Sequence, residues 1–156
     1  MNKMDERINH ARELFLSGYG CCQSVSGAFA DTYGLSHEQA MAIAAGFGGG
    51  VGRLRMMCGT VSALVILAGL NDGQTVADDR QGKAHCYKVV QELLAKFKEQ
   101  NGSIICAELL KLSGNNVSKN YMPDKRDYNY YAKRPCVAKV ESAARIFAEY
   151  LNQKKF

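Results

Sequence analysis

The chain has 156 residues, of which 47% are hydrophobic and 22% are charged, and its net charge is +5. These values exclude a disordered or low-complexity chain, and so small a basic excess gives no support for nucleic-acid binding. The length predicts one domain, residues 1–156, large enough to bury a core of its own.

Apolar residues recur at helical spacing along most of the chain, and no segment predicts a strand. Helices are expected at about residues 4–17, 21–34, 37–47, 57–70, 76–100, 104–112 and 135–151. The third is apolar nearly all round, which predicts that it is buried. Residues 113–133, which we call the flap, are polar and have no helical period, so they are expected to pack on the surface. The sequence therefore predicts an all-α fold, a compact bundle of about six to seven helices.

A glycine-rich break separates the third and fourth predicted helices. Six of the fifteen glycines lie between Gly46 and Gly59. The run does not have the spacing of a dinucleotide-binding loop or a P-loop and follows a helix rather than a strand, so no nucleotide is expected. We interpret it as a tight hinge whose backbone passes close to a bound group. The candidate cofactor-binding residues are Gly48, Gly49, Gly50 and Arg53.

Four of the six cysteines fall at the N-termini of predicted helices. They are Cys21, Cys58, Cys106 and Cys136. The amide groups and the dipole at a helix N-terminus stabilise an anion, so we expect the pKa of each of these thiols to be lowered. The basic residues beside these helix starts act in the same direction: Arg53, Arg55, Lys133 and Arg134. A lowered pKa is what a redox nucleophile or a soft-metal ligand requires.

The cysteine spacing leaves several functions open. No CxxC or CxxCH occurs, which disfavours a zinc knuckle, a thioredoxin-type pair and attached haem. The four cysteines could hold an iron–sulfur cluster or another metal through thiolates, or they could exchange disulfides without a metal. Both functions imply a redox partner protein. A rival interpretation is a binding or scaffold module whose cysteines, including Cys22 and Cys86, only fill the core. A small-molecule enzyme with an anion site at Arg53 and Arg55 is a third.

Several segments resemble the family of redox-active proteins named for a C…GCAxxG…C…C cysteine pattern. They lie at residues 18–25, 46–53, 58–61 and 97–110 and at Cys136. The resemblance implies redox chemistry and assigns the four pattern cysteines as catalytic residues or metal ligands. These are Cys21, Cys58, Cys106 and Cys136. A more distant similarity to the non-haem part of split-Soret cytochromes implies a helical, dimeric domain that holds an iron–sulfur cluster.

The expected environment is the cytoplasm. The charged N-terminus contains no apolar signal core. The longest apolar run, Met56 to Leu70, is shorter than the roughly 20 residues that a bilayer span needs. We therefore expect no membrane partner. The apolar third and fourth helices predict a homodimer.

Overall fold

The computed structural model describes residues 2–114 and 116–153, and within them it has eight α-helices and no strand. In chain order these are α1 Lys3–Leu16, α2 Cys21–Phe29, α3 His37–Ala44, α4 Gly59–Asp72, α5 Arg80–Asn101, α6 Cys106–Leu112, α7 Tyr128–Lys133 and α8 Cys136–Gln153. Two short 3-10 helices, Ala30–Tyr33 and Ala45–Phe47, follow α2 and α3. The predicted all-α fold is confirmed, with one helix more than the sequence indicated.

Side-chain caps fix where α3 and α5 begin. Ser36 accepts a hydrogen bond from the amide of Gln39 (3.1 Å), and the Gln39 side chain accepts one from the amide of Ser36 (2.9 Å), which is the predicted capping box. α5 starts at Arg80 rather than directly after Thr75. The reason is that the carboxylate of Asp79 accepts the hydrogen bond from the amide of Gly82 (2.9 Å).

The core lies where α1, α2, α4 and α8 meet, and α5 packs against α4 and α8. Its largest fully buried side chains include Phe15, Phe29, Leu64, Leu67, Phe97 and Phe147. The rings of Phe29 on α2 and Phe147 on α8 meet edge to face with centroids 5.0 Å apart. Each such side chain contributes about 1.5–3 kcal/mol through burial. The same packing therefore holds the first turns of α2, α4 and α8 in fixed relative positions.

α3 is not buried on all sides, and the expectation that it would be is wrong. Ala40, Met41 and Ala44 are buried, whereas Ile43 is 49% exposed. α3 packs mainly against α2 and the short 3-10 helices, so only one of its faces is covered.

The flap contains a helix, α7, that the sequence did not indicate. The carboxylate of Asp127 caps it by accepting a hydrogen bond from the amide of Tyr130 (2.9 Å). The guanidinium of Arg126 lies 4.5 Å from the ring centroid of Phe15 on α1 and 4.7 Å from that of Tyr130. These contacts fasten the end of the flap to α1, and the helix depends on them because it is too short to be stable alone.

Among residues 2–114 and 116–153, no helix has both the length and the apolar character that a bilayer span needs.

Candidate functional site

One cavity of about 610 Å³ brings the four predicted cysteines together. Cys21, Cys106 and Cys136 are the first residues of α2, α6 and α8, and Cys58 directly precedes α4. A Cβ atom on Gly59 would lie 3.1 Å from the Cβ of Cys21, which shows how closely the starts of α2 and α4 approach. The core packing thus produces the shared site that the sequence analysis expected, although the catalytic or ligand role of each cysteine stays a prediction.

Two of the cysteines are also joined through the backbone. The amide of Cys58 donates to the carbonyl of Ile104 (2.8 Å), and the amide of Cys106 donates to the carbonyl of Met56 (2.6 Å). An isolated antiparallel β-bridge lies between these bonds. The starts of α4 and α6 are therefore held side by side by main-chain hydrogen bonds.

The glycine-rich break takes an unusual backbone course along one side of the cavity. Positive φ angles occur at Gly49, Gly50, Val51, Gly52, Arg53 and Arg55. A Cβ atom on Gly50 would lie 2.7 Å from the Cβ of Cys106 and 2.7 Å from the amide nitrogen of Met56. The backbone of this run therefore passes close to Cys106, whereas its approach to a bound group stays a prediction. Gly48 and Gly49 line the cavity beside it.

Arg53 and Arg55 hold the flap over the cavity. For residues other than glycine, a left-handed conformation costs roughly 1–2 kcal/mol, and hydrogen bonds to the flap offset this cost. Arg53, predicted to bind a cofactor, donates to the carbonyls of Asn120 and Met122 and lies 3.3 Å from the carboxylate of Asp124. Arg55 Nε donates to the carbonyl of Ser118 (2.8 Å).

The prediction that all four thiols have a lowered pKa is wrong for three of them. Burial is the largest cause that raises the pKa of Cys58 and of Cys106. Arg55 Nη1 lies 3.8 Å from the sulfur of Cys106 and lowers this pKa, but it does not compensate for burial. The pKa of Cys21 is raised mainly by its hydrogen bond to Cys136 and secondly by burial. At Cys58 and Cys106, desolvation thus outweighs the field of the helix N-terminus.

Cys136 is the exception, because its pKa is lowered from 9.0 to about 7. The hydrogen bond from the Cys21 thiol is the largest cause, and the charges of Arg134, Arg126 and Arg55 act in the same direction against burial. The two sulfurs therefore form a pair in which Cys136 is the more acidic thiol and Cys21 donates a hydrogen bond to it. A thiolate beside a thiol is the arrangement that disulfide chemistry uses.

A model of the family described as "Putative redox-active protein (C_GCAxxG_C_C)" matches residues 19–150. The chain belongs to this family. The match covers most of the sequence and includes all four cavity cysteines, so membership supports a redox role and confirms the resemblance described above. No curated protein and no solved structure matches the chain. The distant similarity to split-Soret cytochromes stays a prediction.

The other two cysteines of this C_GCAxxG_C_C protein do not line the cavity. Cys22 is fully buried, its sulfur lies 3.8 Å from the hydroxyl of Ser26, and burial raises its pKa to about 12. Cys86 is half-buried on α5. All six cysteines are free thiols. The core-filler interpretation therefore describes Cys22 well.

The donor set does not fit a single metal ion. Within the two described ranges, no three His, Cys, Asp or Glu side chains lie close enough together to hold one ion. A four-thiolate zinc-type centre needs all four sulfurs about 2.3 Å from the metal. The described side chains therefore provide no three-donor site for a single ion.

The cavity also includes flap residues that the sequence analysis considered only as a surface. Asp124, Arg126 and Tyr130 of the flap line it, and so does Arg134, which directly follows the flap. Asp124 accepts hydrogen bonds from Arg53 and Arg134 and so connects the flap to both sides of the cavity. The signal that could have identified them is the length of the flap, because a connector of about twenty residues usually has a role of its own.

Proposed function

We propose that the protein exchanges disulfides through Cys136 and Cys21. The observation that carries this proposal is that Cys21 and Cys136 line one cavity, where the pKa of Cys136 is lowered to about 7, mainly by a hydrogen bond from Cys21, and the pKa of Cys21 is raised. At neutral pH about half of a thiol with this pKa is ionised, so Cys136 can act as the nucleophile. Cys21, whose hydrogen bond lowers the pKa of Cys136, would act as the resolving thiol.

The exchange balances in two steps. The Cys136 thiolate attacks one sulfur of a substrate disulfide, and the other half of the substrate leaves as a thiolate. Cys21 then attacks the Cys136 sulfur, its proton passes to the departing thiolate, and the second half of the substrate is released. The substrate gains two electrons and leaves as one thiolate and one thiol, and the protein becomes a Cys21–Cys136 disulfide. A dithiol protein, as the redox partner, would return the site to its reduced form.

Oxidation of the reduced protein with one equivalent of bis(2-hydroxyethyl) disulfide under argon tests the proposal. We expect peptide mass spectrometry to find one intramolecular disulfide, between Cys21 and Cys136, because only this pair combines a thiolate with a thiol in contact with it. The matched control is Cys86→Ser, which should form the same disulfide. Oxidation that joins Cys136 to a different cysteine, or no oxidation at all, would contradict the proposal.

An iron–sulfur cluster is the second candidate, favoured by the four thiols around one cavity. Cys21, Cys58, Cys106 and Cys136 would hold it, and Arg55 would offset the negative charge of the thiolates. When bound, such a cluster takes up and releases electrons one at a time.

Anaerobic purification followed by iron and sulfide analysis tests this second candidate. If a cluster binds, we expect a visible charge-transfer spectrum that Cys106→Ser abolishes and Cys86→Ser preserves. The reason is that Cys106 lines the cavity and Cys86 does not. A colourless, iron-free protein that cannot be reconstituted would rule the cluster out.

A further inference from the structure

We infer that the substrate of this site is a small disulfide that carries carboxylate groups, and that Arg55 binds one of those carboxylates. The inference rests on the proposed disulfide exchange and adds the class of molecule that the cavity selects. It depends on the charge of the cavity, on the hydrogen bonding of Arg55 and on the size of the enclosed space.

The cavity has a strong excess of positive charge. The basic side chains that line it are Arg53, Arg55, Arg126, Arg134 and Lys139. Asp124 is the one carboxylate among the lining residues that the structure describes. Five cations and one carboxylate leave four positive charges before any thiol ionises. A partly enclosed site with this charge attracts anions.

Most of these cations already have acceptors within the protein. Arg53 and Arg134 share the carboxylate of Asp124. Arg126 donates to backbone carbonyls at the end of α1 and just after it, at 3.2 and 3.0 Å. Lys139 donates to the side-chain oxygen of Asn101 (3.1 Å). These contacts hold the flap and the helices together, so these four cations are already used within the protein.

Arg55 is the cation with a buried donor left over. The residue is only 5% exposed, and its Nε and Nη1 atoms contact the carbonyl of Ser118 and the sulfur of Cys106. Its Nη2 atom is buried and has no acceptor among the described residues. A buried guanidinium donor without an acceptor is unfavourable, and native proteins normally satisfy it. A ligand carboxylate would supply the acceptor, because carboxylate oxygens match the planar donors of a guanidinium.

The position of Arg55 connects this donor to the thiol chemistry. Arg55 contacts Cys106, and its charge also helps to lower the pKa of Cys136, so an anion at Arg55 lies in the same cavity as the nucleophile. A volume of about 610 Å³ is typical of pockets for small organic molecules. Tyr121 and Pro123 of the flap also line the cavity, and a partly enclosed cavity of this size favours a small molecule over a protein segment.

Binding of a redox-inert analogue tests the carboxylate site separately from the thiol chemistry. The probe is 3,3′-thiodipropionate, which has two carboxylates and a thioether in place of the disulfide. We expect calorimetry to show binding to the reduced protein, and Arg55→Gln to weaken it about tenfold or more, since a charge-assisted hydrogen bond is lost. Arg55→Lys, which keeps the charge, should weaken binding less. The matched control is Arg145→Gln, because Arg145 is exposed on α8 and does not line the cavity.

Single-turnover oxidation then tests the substrate class. We expect 3,3′-dithiodipropionate to oxidise the reduced protein at least about tenfold faster than bis(2-hydroxyethyl) disulfide, and Arg55→Gln to remove this preference. If both disulfides react equally fast and thiodipropionate does not bind, the carboxylate site is wrong although the disulfide exchange stands. If thiodipropionate binds but neither disulfide oxidises the cysteines, the proposed function fails, and the disulfide substrate with it.

Discussion

Replacing Cys136 by serine is expected to slow the reaction of the reduced protein with iodoacetamide at pH 7 by about fiftyfold. The thiolate is the reactive form, and about half of Cys136 is ionised at this pH because its pKa is about 7. A thiol with a pKa of 9 or above is about 1% ionised or less under the same conditions. Peptide mass spectrometry after short reaction times measures the loss of the fast-reacting residue.

The rate of this reaction should rise with pH as Cys136 ionises. Since the pKa of Cys136 is lowered, the wild-type rate should be half-maximal near pH 7, level off above pH 8 and fall about tenfold per pH unit well below pH 7. Cys86→Ser is the control and should keep both the fast reaction and its profile. A fast reaction that persists in Cys136→Ser, or a wild-type midpoint near pH 9, would show that Cys136 is an ordinary thiol.

Gly50→Ala is expected to destabilise the protein by about 3 kcal/mol or more. The new Cβ would overlap the Cβ of Cys106 and the amide nitrogen of Met56, each 2.7 Å away, and neither belongs to the far end of a flexible side chain. The φ of +76° at Gly50 adds the strain of a left-handed alanine. Urea unfolding of the two proteins measures the difference in the free energy of unfolding.

Gly46→Ala provides the matched control for this experiment. A Cβ at Gly46 would meet no atom within 4 Å, and its φ is not positive, so we expect a change of less than about 1 kcal/mol. Equal unfolding midpoints for the alanine variants at 46 and 50 would refute the close approach of the glycine run to Cys106. A Gly50→Ala chain that does not fold, beside a folded Gly46→Ala chain, agrees with it.

The sequence predicted the long helices well because their signals are local. The predicted fourth helix, about residues 57–70, lies at Gly59–Asp72, and the capping pattern at Ser36 marks the true start of α3. The four cysteines were placed at helix starts because capping residues, Pro135 and the glycine break mark those starts in the sequence. Packing of the helices then brings them together.

The properties that depend on tertiary packing could not be predicted in this way. The pKa of Cys58 and Cys106 follows from burial, which no local pattern reveals, and the low pKa of Cys136 requires contact with a residue more than a hundred positions away. α7 was not predicted because it is short and is stabilised by the contact between Arg126 and the ring of Phe15. The exposed side of α3 likewise depends on which neighbours reach it.

The four cysteines of the site are held in place in two different ways, by main-chain hydrogen bonds and by side-chain packing, and this affects which substitutions the site tolerates. Cys58 and Cys106 keep their relative position through main-chain hydrogen bonds, which involve no side-chain atom. Cys21 and Cys136 keep theirs through the apolar packing of α2 and α8, which depends on side-chain shape. The pair of positions 58 and 106 is therefore the more tolerant of substitution. New donor groups introduced there would be held at the same relative backbone positions.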